Sequence, residues 1–395
     1  MDDTPKTPPK SGDFNVDPVR GGQNTPTQKN NFEGKNYFSP TPNGVDDQLK
    51  KIEDSINAAS LPLDLHDKVV AMLNRLKLIK NDTGFFMEYD SISRYIEWIV
   101  NLPWNKASQD ILDLTHARQV LDSTHYGLSE VKEKIEEYLS IMILKNRRGL
   151  NTQEQFARAP IISLVGLVGV GKTTISYSIA DALGRKIERI PFGGMGSPAQ
   201  LRGKTRLFPD AEPGLVIKAL RRAGTNNPVL LFDEIDRVSS EARSDIMGVL
   251  VELLDPLQNK AFTDHFIDYP VDLSNVLFIV TSNNTKDIST AVIDRLEIIQ
   301  MPSYTDQEKI IIAKSYMFPK ILKESGMSEK DLVIDENVWD LVVRPLGYDP
   351  GIRGLERNLQ GLVRKVVYYM LQGKIPGNQT FHLTAQNIKD FVPQW

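Results

Sequence analysis

The stretch GLVGVGKTT, residues 166–174, decides how this chain is read. Gly166 and Gly171 are separated by four residues and followed by Lys172 and Thr173. An apolar run, Ile161–Val165, stands before them. This reads as a buried strand, then a turn over Gly166–Gly171, then a helix opened by Lys172, Thr173 and Thr174. Glycines at 166, 169 and 171 let the backbone approach a phosphate closely, and Val170 contributes its N–H. The helix start aims free N–H groups and the positive end of its dipole at the same anion. Lys172 is placed for the β- and γ-phosphates, and the Thr173 hydroxyl for Mg²⁺. The spacing speaks for nucleotide binding and leaves open what the nucleotide drives.

Outward from the loop, apolar runs alternate with helical patterns. Ile161–Val165, Lys186–Pro191, Val229–Phe232, Val276–Thr281 and Glu297–Met301 read as five strands, which predicts an α/β fold with a parallel sheet covered on both faces. Before them the pattern is helical: Leu49, Ile52 and Ile56; Val69, Val70, Leu73, Leu76 and Ile79; Ser91–Asn101; Leu114–Ser123; and a long helix through Val131, Ile135, Leu139 and Ile143. From Tyr304 the pattern is helical again, with a late strand at Thr380–Leu383. Residues 1–45 are polar and rich in Pro, Gly, Asn and Thr, a composition that predicts a disordered tail.

Composition narrows the function. The 395 residues leave room for about two or three domains. A net charge of −4 gives no basis for claiming DNA binding. The chain has no cysteine, which excludes disulfides, thiolate zinc sites and a cysteine nucleophile. No apolar run reaches membrane-spanning length and the N-terminus lacks a signal-peptide core, so a cytoplasmic location is the expectation. The histidines at 66, 116, 125, 265 and 382 show no metal-peptidase spacing.

Pro228-Val-Leu-Leu-Phe-Asp-Glu234 is an apolar strand ending in two carboxylates. Asp233 at its tip suits Mg²⁺, and Glu234 suits the attacking water. A glutamate next to the magnesium aspartate favours repeated hydrolysis over a switch or kinase. Asn283 follows another apolar strand and is placed to sense a γ-phosphate. Arg295 reads either as an i,i+3 surface ion pair or as a finger into a neighbouring subunit's γ-phosphate. Arg353 opens a late helix that can lean on the same phosphate.

Longer stretches make the reading specific. GLVGVGKTT is joined by GGMGSPAQLRGKTR (193–206), LRRAGTNNPVLLFDEIDRV (220–238), ELLDPLQNKAFTDHF (252–266) and NVLFIVTSNN (275–284). IDRLEII (293–299), SYTDQEKIIIAK (303–314), YDPGIRGLERNL (348–359) and RYIEWIVNLPW (94–104) complete the run. Over residues 48–395 the chain resembles the AAA+ ATPase module of Lon-type ATP-dependent proteases. The resemblance implies a helical module over 46–122, a large α/β ATPase domain over 123–302 and a small helical lid over 303–395. It implies ATP and Mg²⁺, adenine near His125, Tyr126, Gly127 and Leu128, and a homo-hexameric ring. Lys172 and Thr173 match the first nucleotide motif, Asp233 and Glu234 the second. Asn283 matches the first sensor, Arg295 the arginine finger and Arg353 the second sensor.

Departures qualify the resemblance. The family's globular N-terminal domain and coiled coil are replaced by the polar tail. The pore-loop stretch reads Arg206-Leu207-Phe208-Pro209-Asp210-Ala211, where Phe208 keeps an aromatic grip or else packs inside the domain. Leu167 and Val168 stand where the family's phosphate loop usually has prolines. No Ser-Lys peptidase dyad reads in these residues. The expectation is an ATP-dependent unfoldase or translocase acting on protein, in quality control and degradation. The alternatives are the ATPase half of a split or truncated protease working with a separate peptidase subunit, or a nucleotide-switched interaction protein.

Overall fold

The computed structural model describes residues 42–81, 84–148, 161–344, 351–376 and 379–392. The chain divides into residues 1–45 and a second unit, Asp46–Trp395. The expectation of a disordered tail therefore falls outside the described residues up to 41. Residues 42–45 instead begin helix α1 (Pro42–Ala58). Proline suits a first helical turn, where its missing N–H has no partner to lose.

The sheet forms from β1 (Ile161–Val165), β2 (Ile187–Pro191), β3 (Val229–Asp233), β6 (Leu277–Ser282) and β7 (Leu296–Gln300), in the order β2-β3-β6-β1-β7, all parallel. The central strands β1, β3 and β6 are buried along their whole length, as a sheet covered on both faces requires. The five runs read from sequence are these five strands, with ends shifted by a residue. Between β3 and β6 lies an antiparallel hairpin, β4 (Phe262–Thr263) with β5 (Pro270–Val271). Strands of two residues leave no periodic signal, and the sequence reading missed both.

Around the sheet run α4 (Leu114–Thr124), α5 (Ser129–Arg147), α6 (Lys172–Leu183), α7 (Leu215–Ala223) and α8 (Arg243–Leu254). Asp113 caps α4, its carboxylate accepting from the Thr115 and His116 N–H groups. Ala117 and Leu121 of α4 share one core with Val131 and Ile135 of α5, Ile162 and Leu164 of β1, and Ile175 and Ile179 of α6. Packing thus groups α4 with the α/β layers.

Helices α2 (Leu63–Leu78) and α3 (Phe85–Val100) pack with α1 into the helical module. The third helix begins at Phe85, not Ser91, because the Phe85 ring is buried and anchors an earlier turn. The module is fastened to the loop between β4 and β5. Tyr95 donates to Ile267 O at 3.1 Å and Tyr269 donates to Asp64 Oδ1 at 2.7 Å. Lys68 pairs with Asp268 at 3.4 Å.

The C-terminal part contains α9 (Asp306–Ile312), α10 (Phe318–Glu324), α11 (Trp339–Val343) and α12 (Arg353–Leu371), with a parallel pair β8 (Leu332–Ile334) and β9 (Phe381–Leu383). A capping box between Thr305 and Glu308 starts α9. Leu355, Leu359, Leu362 and Val366 of α12 lie in a second core with Phe318 and Trp339. Among the described residues, no helix is long and apolar enough to cross a membrane.

Candidate active site

The site forms at the carboxyl ends of β1, β3 and β6. Gly169 and Gly171 have φ of +85° and +95°, which a side chain would strain. Gly166 lies so close to β7 that a Cβ there would meet Met301 O at 2.6 Å. The backbone can therefore bend back over the start of α6, leaving the loop's side chains Leu167 and Val168 outside.

Lys172 is 8% exposed. Its ammonium donates to Gly166 O at 2.6 Å, Leu167 O at 2.9 Å and Asn283 Oδ1 at 3.1 Å. Burial lowers its pKa, opposed first by the charge of Asp236 and then by Asp233 and Glu234. The lysine ties the Gly166 and Leu167 carbonyls to the inside of the loop.

Asp233, at the end of β3, accepts at Oδ1 from Thr173 Oγ1 at 3.3 Å and also from Thr281 Oγ1. Its Oδ2 accepts from Arg189 Nε at 2.6 Å. Glu234 has φ +60°, ψ +50°, and its N–H donates to Thr281 Oγ1 at 3.0 Å. A left-handed glutamate is costly for a residue with a Cβ, and such outliers concentrate at functional sites. Here the bend turns the Glu234 carboxylate toward Gly193, whose hypothetical Cβ would lie 3.4 Å from Oε2, and toward Arg237 at 3.5 Å.

His125 adjoins the other side of the loop. Nε2 lies 3.1 Å from Thr174 Oγ1 and Nδ1 lies 2.9 Å from Thr124 Oγ1. Burial, with the nearby Lys132 charge, lowers its pKa to about 4, so the ring is neutral at pH 7. Gly127 (φ +64°) and Leu128 (φ +54°) make the turn into α5, and Tyr126 packs against the α/β core. On the lid side, Ile352 N–H donates to Gly169 O at 3.0 Å. A Cβ on Gly351 would stand 2.6 Å from Val168 O. Arg353 follows directly, its Cγ 3.5 Å from where a Cβ on Gly169 would be.

Lys172, Thr173, Asp233, Glu234, Asn283, His125 and Arg353 are thus brought around one cleft. Two singled-out residues are not. Arg295 donates to Ala291 O at 2.6 Å and pairs with Asp255 at 2.9 Å, while its Nε is buried without a partner. The ion pair is with a residue far along the chain, not one at i,i+3. Phe208 is 58% exposed and Leu207 92%, so packing of Phe208 inside the domain is ruled out. They top a loop whose neck is Gly203 and Gly214. Buried Asp264 holds that neck, accepting from Gly214 N at 2.7 Å, Phe266 N at 2.8 Å and Ile267 N at 3.0 Å. A Cβ on Gly203 would approach its oxygens to 2.8 and 2.9 Å.

A nucleotide loop, an Asp-Glu strand end and a lid stitched to the loop are features of one ATPase class, and comparison places the chain in it. The family model described as "ATPase family associated with various cellular activities (AAA)" matches residues 162–304. The model described as "Lon protease AAA+ ATPase lid domain" matches residues 323–378. The chain carries an AAA domain followed by a Lon-type lid domain, an arrangement consistent with the Lon AAA+ module. A Lon protease from Lawsonia intracellularis is 41% identical over 348 residues, which is 88% of this chain and 40% of that protein. A Lon protease from Desulfovibrio desulfuricans is 39% identical over 329 residues, 83% of this chain and 36% of that protein. Lon protease 2 from Thermus thermophilus is 38% identical over 348 residues, 87% of this chain and 42% of that protein. The chain therefore spans well under half the length of these relatives. Its AAA domain implies nucleotide binding.

The residues fit a magnesium nucleotide. Asp233 Oδ1 and Thr173 Oγ1 form a hard oxygen pair at the mouth of a loop with inward carbonyls, which suits an ion completed by phosphate oxygens and water. Three residues escaped the sequence reading: Arg189 and Asp236 in the cleft, bonded to Asp233 and Asn283, and Asp264 under the exposed loop away from it. Asp236 was within reach, three positions after Asp233 in the short turn that follows the strand. Arg189 and Asp264 carried no spacing signal.

Proposed function

We propose that this chain hydrolyses ATP and uses the turnover to pull on protein chains, as a subunit of a homo-hexameric ring working in protein quality control and degradation. One observation carries the reading. Lys172, Thr173, Asp233, Glu234 and Asn283 converge at the ends of adjacent strands, while Arg295 is directed away from them. The loop amides and Lys172 hold the phosphates. Thr173 and Asp233 hold Mg²⁺, which when bound neutralises charge on the β- and γ-phosphate oxygens. Glu234, fixed by its left-handed backbone, orients the attacking water and takes its proton. Arg353, next to Gly169, lends positive charge from the lid. His125, Tyr126, Gly127 and Leu128 border the place for the adenine. Arg295, held ready by Asp255 with one nitrogen unpaired, serves a neighbouring subunit's nucleotide. Phe208 grips the protein chain.

The test is steady-state ATP hydrolysis with and without an unfolded protein. Stimulation by the unfolded chain is expected. Its absence from an otherwise active enzyme would remove the pulling role and leave a nucleotide-switched interaction protein. A second reading, favoured by the longer relatives named Lon protease, gives this motor a peptidase on further sequence or on another chain. Casein degradation by the purified chain, alone and with proteins captured on it, separates the two.

A further inference from the structure

We propose that helix α3 of the helical module braces the gripping loop, and that Arg206 is the positioning residue through which it does so. The guanidinium seated on the Tyr95 ring sets where Phe208 stands. This deepens the reading of Phe208 as the contact with protein chains and rests on it.

Tyr95 and Trp98 lie three positions apart on α3, so both rings fall on one helix face. Each carries an arginine from the α/β layers. The Arg206 guanidinium carbon is 4.0 Å from the Tyr95 ring centroid, and that of Arg221 is 4.2 Å from the Trp98 ring centroid. Arg206 stands on the outgoing limb of the loop, two residues before Phe208. Arg221 belongs to α7, the helix that follows the loop's return at Gly214. One helix of the module therefore holds both sides of the loop. A carboxylate completes each seat: Asp268 Oδ2 lies 3.7 Å from Arg206 Nη2, and Glu97 Oε1 accepts from Arg221 Nη2 at 2.8 Å.

The Tyr95 seat is the more rigid. Its ring is wholly buried, backed by the Phe266 ring at 6.3 Å between centroids, and its hydroxyl donates to Ile267 O. A cation over an aromatic face is attracted by the ring's quadrupole, the more so where water is excluded. The planar guanidinium also stacks on the ring. Being buried, Tyr95 cannot touch a protein chain, so its ring acts on gripping through what it holds.

The loop is built to pass that hold to its tip. Lys204 N–H donates to Glu212 O at 3.1 Å, and the Lys204 ammonium pairs with Asp210 across the loop. Phe208 N–H donates to Thr205 O at 3.2 Å, and Ala211 N–H to Phe208 O at 3.1 Å. Cross-bonded in this way, Phe208 moves with Arg206, which two residues of chain keep within about 7 Å.

The test is the affinity of the full chain for fluorescein-labelled casein, read by fluorescence anisotropy with the slowly hydrolysed ATPγS present. Urea unfolding and affinity for a fluorescent ADP analogue are measured beside it. Arg206→Ala is expected to weaken casein binding roughly fivefold, the worth of one partly shielded cation–ring contact, with affinity for the ADP analogue held within about twofold. Tyr95→Phe keeps the ring and loses the hydroxyl, so it should unfold at lower urea while casein affinity stays within about twofold. With Phe208 already replaced by alanine, Arg206→Ala should add less than about twofold, because it acts through Phe208. The undiminished loss in that background would mean that Arg206 touches the protein chain itself and would overturn the brace. A Tyr95→Phe loss equal to that of Arg206→Ala would overturn it too. If Phe208→Ala leaves casein binding unmoved, the gripping reading fails and this inference goes with it. If Phe208→Ala weakens binding and Arg206→Ala does not, only the brace falls.

Discussion

Two glycine-bounded loops leave the α/β layers, and they are tied down by opposite charges. The loop over Gly166–Gly171 is held by a cation: Lys172 draws the Gly166 and Leu167 carbonyls inward. The loop between Gly203 and Gly214 is held by an anion: Asp264 accepts the Gly214, Phe266 and Ile267 amides beneath its neck. In the first, carbonyls are consumed and amides are left for a ligand. In the second the backbone is gathered at the neck, and what projects is a pair of apolar side chains, Leu207 and Phe208. One loop presents its main chain to an anion. The other presents apolar side chains to solvent. The same residue type, glycine, builds both because both need the backbone closer than a Cβ permits.

The comparison breaks most sharply at the first loop. Glu234→Gln is expected to lower ATP turnover by roughly 100-fold or more, with the melting temperature close to that of the unaltered protein, since the carboxylate is only weakly paired. A variant that keeps turnover would remove Glu234 from the chemistry. Next comes the second loop's clamp. Asp264→Ala leaves three buried amides without an acceptor, and a loss of about 3 kcal/mol is expected by urea unfolding. Burial raises the Asp264 carboxyl above the ordinary range although the amides pull it down. The carboxylate charge is itself costly, so a loss below about 1 kcal/mol would show that the neck is not held this way.

The next effect is graded by pH. His125 is neutral in the fold with a pKa of about 4, against 6.5 for the free side chain. The unfolded chain binds the proton first, so stability is complete above about pH 6.5 and declines as pH falls toward 4, by up to roughly 3 kcal/mol. Thermal melting across that range should show the decline, and His125→Gln should flatten it. The smallest effect on stability belongs to the exposed tip. Phe208→Ala should change it by less than about 0.5 kcal/mol. The same variant should lower stimulation of ATP turnover by unfolded protein several-fold without changing the basal rate. A lost basal rate would mean that the two loops are not separable.

Much of the first loop's surroundings could be read in the sequence, for a physical reason. A strand buried on both faces must be a continuous apolar run, so Ile161–Val165 and Val229–Phe232 announced themselves. A phosphate loop needs its glycines and lysine at fixed spacing. The second loop was legible only at its tip. Asp264 is distant in sequence from the glycines it clamps, and neither periodicity nor propensity encodes such a pairing. Arg189 and the partner of Arg295 were hidden similarly, since each is a contact between parts of the chain far apart in sequence. The hairpin of β4 and β5 was too short to show alternation. Pro42 looked like part of an irregular tail because proline is punctuation in most contexts, and only position makes it a helix start.

The hydrogen bond from Ile352 to Gly169 has a mechanical meaning. Gly351 touches Val168 with no room for a methyl group, so the start of α12 is seated on the phosphate loop as on a fulcrum. Helix α12 has 19 residues, a rod of about 28 Å. A tilt of about 5° at that fulcrum would sweep its far end through roughly 2 Å. A shift too small to notice beside the phosphates becomes, at the other end of the lid, a displacement large enough to unseat one side chain and seat another.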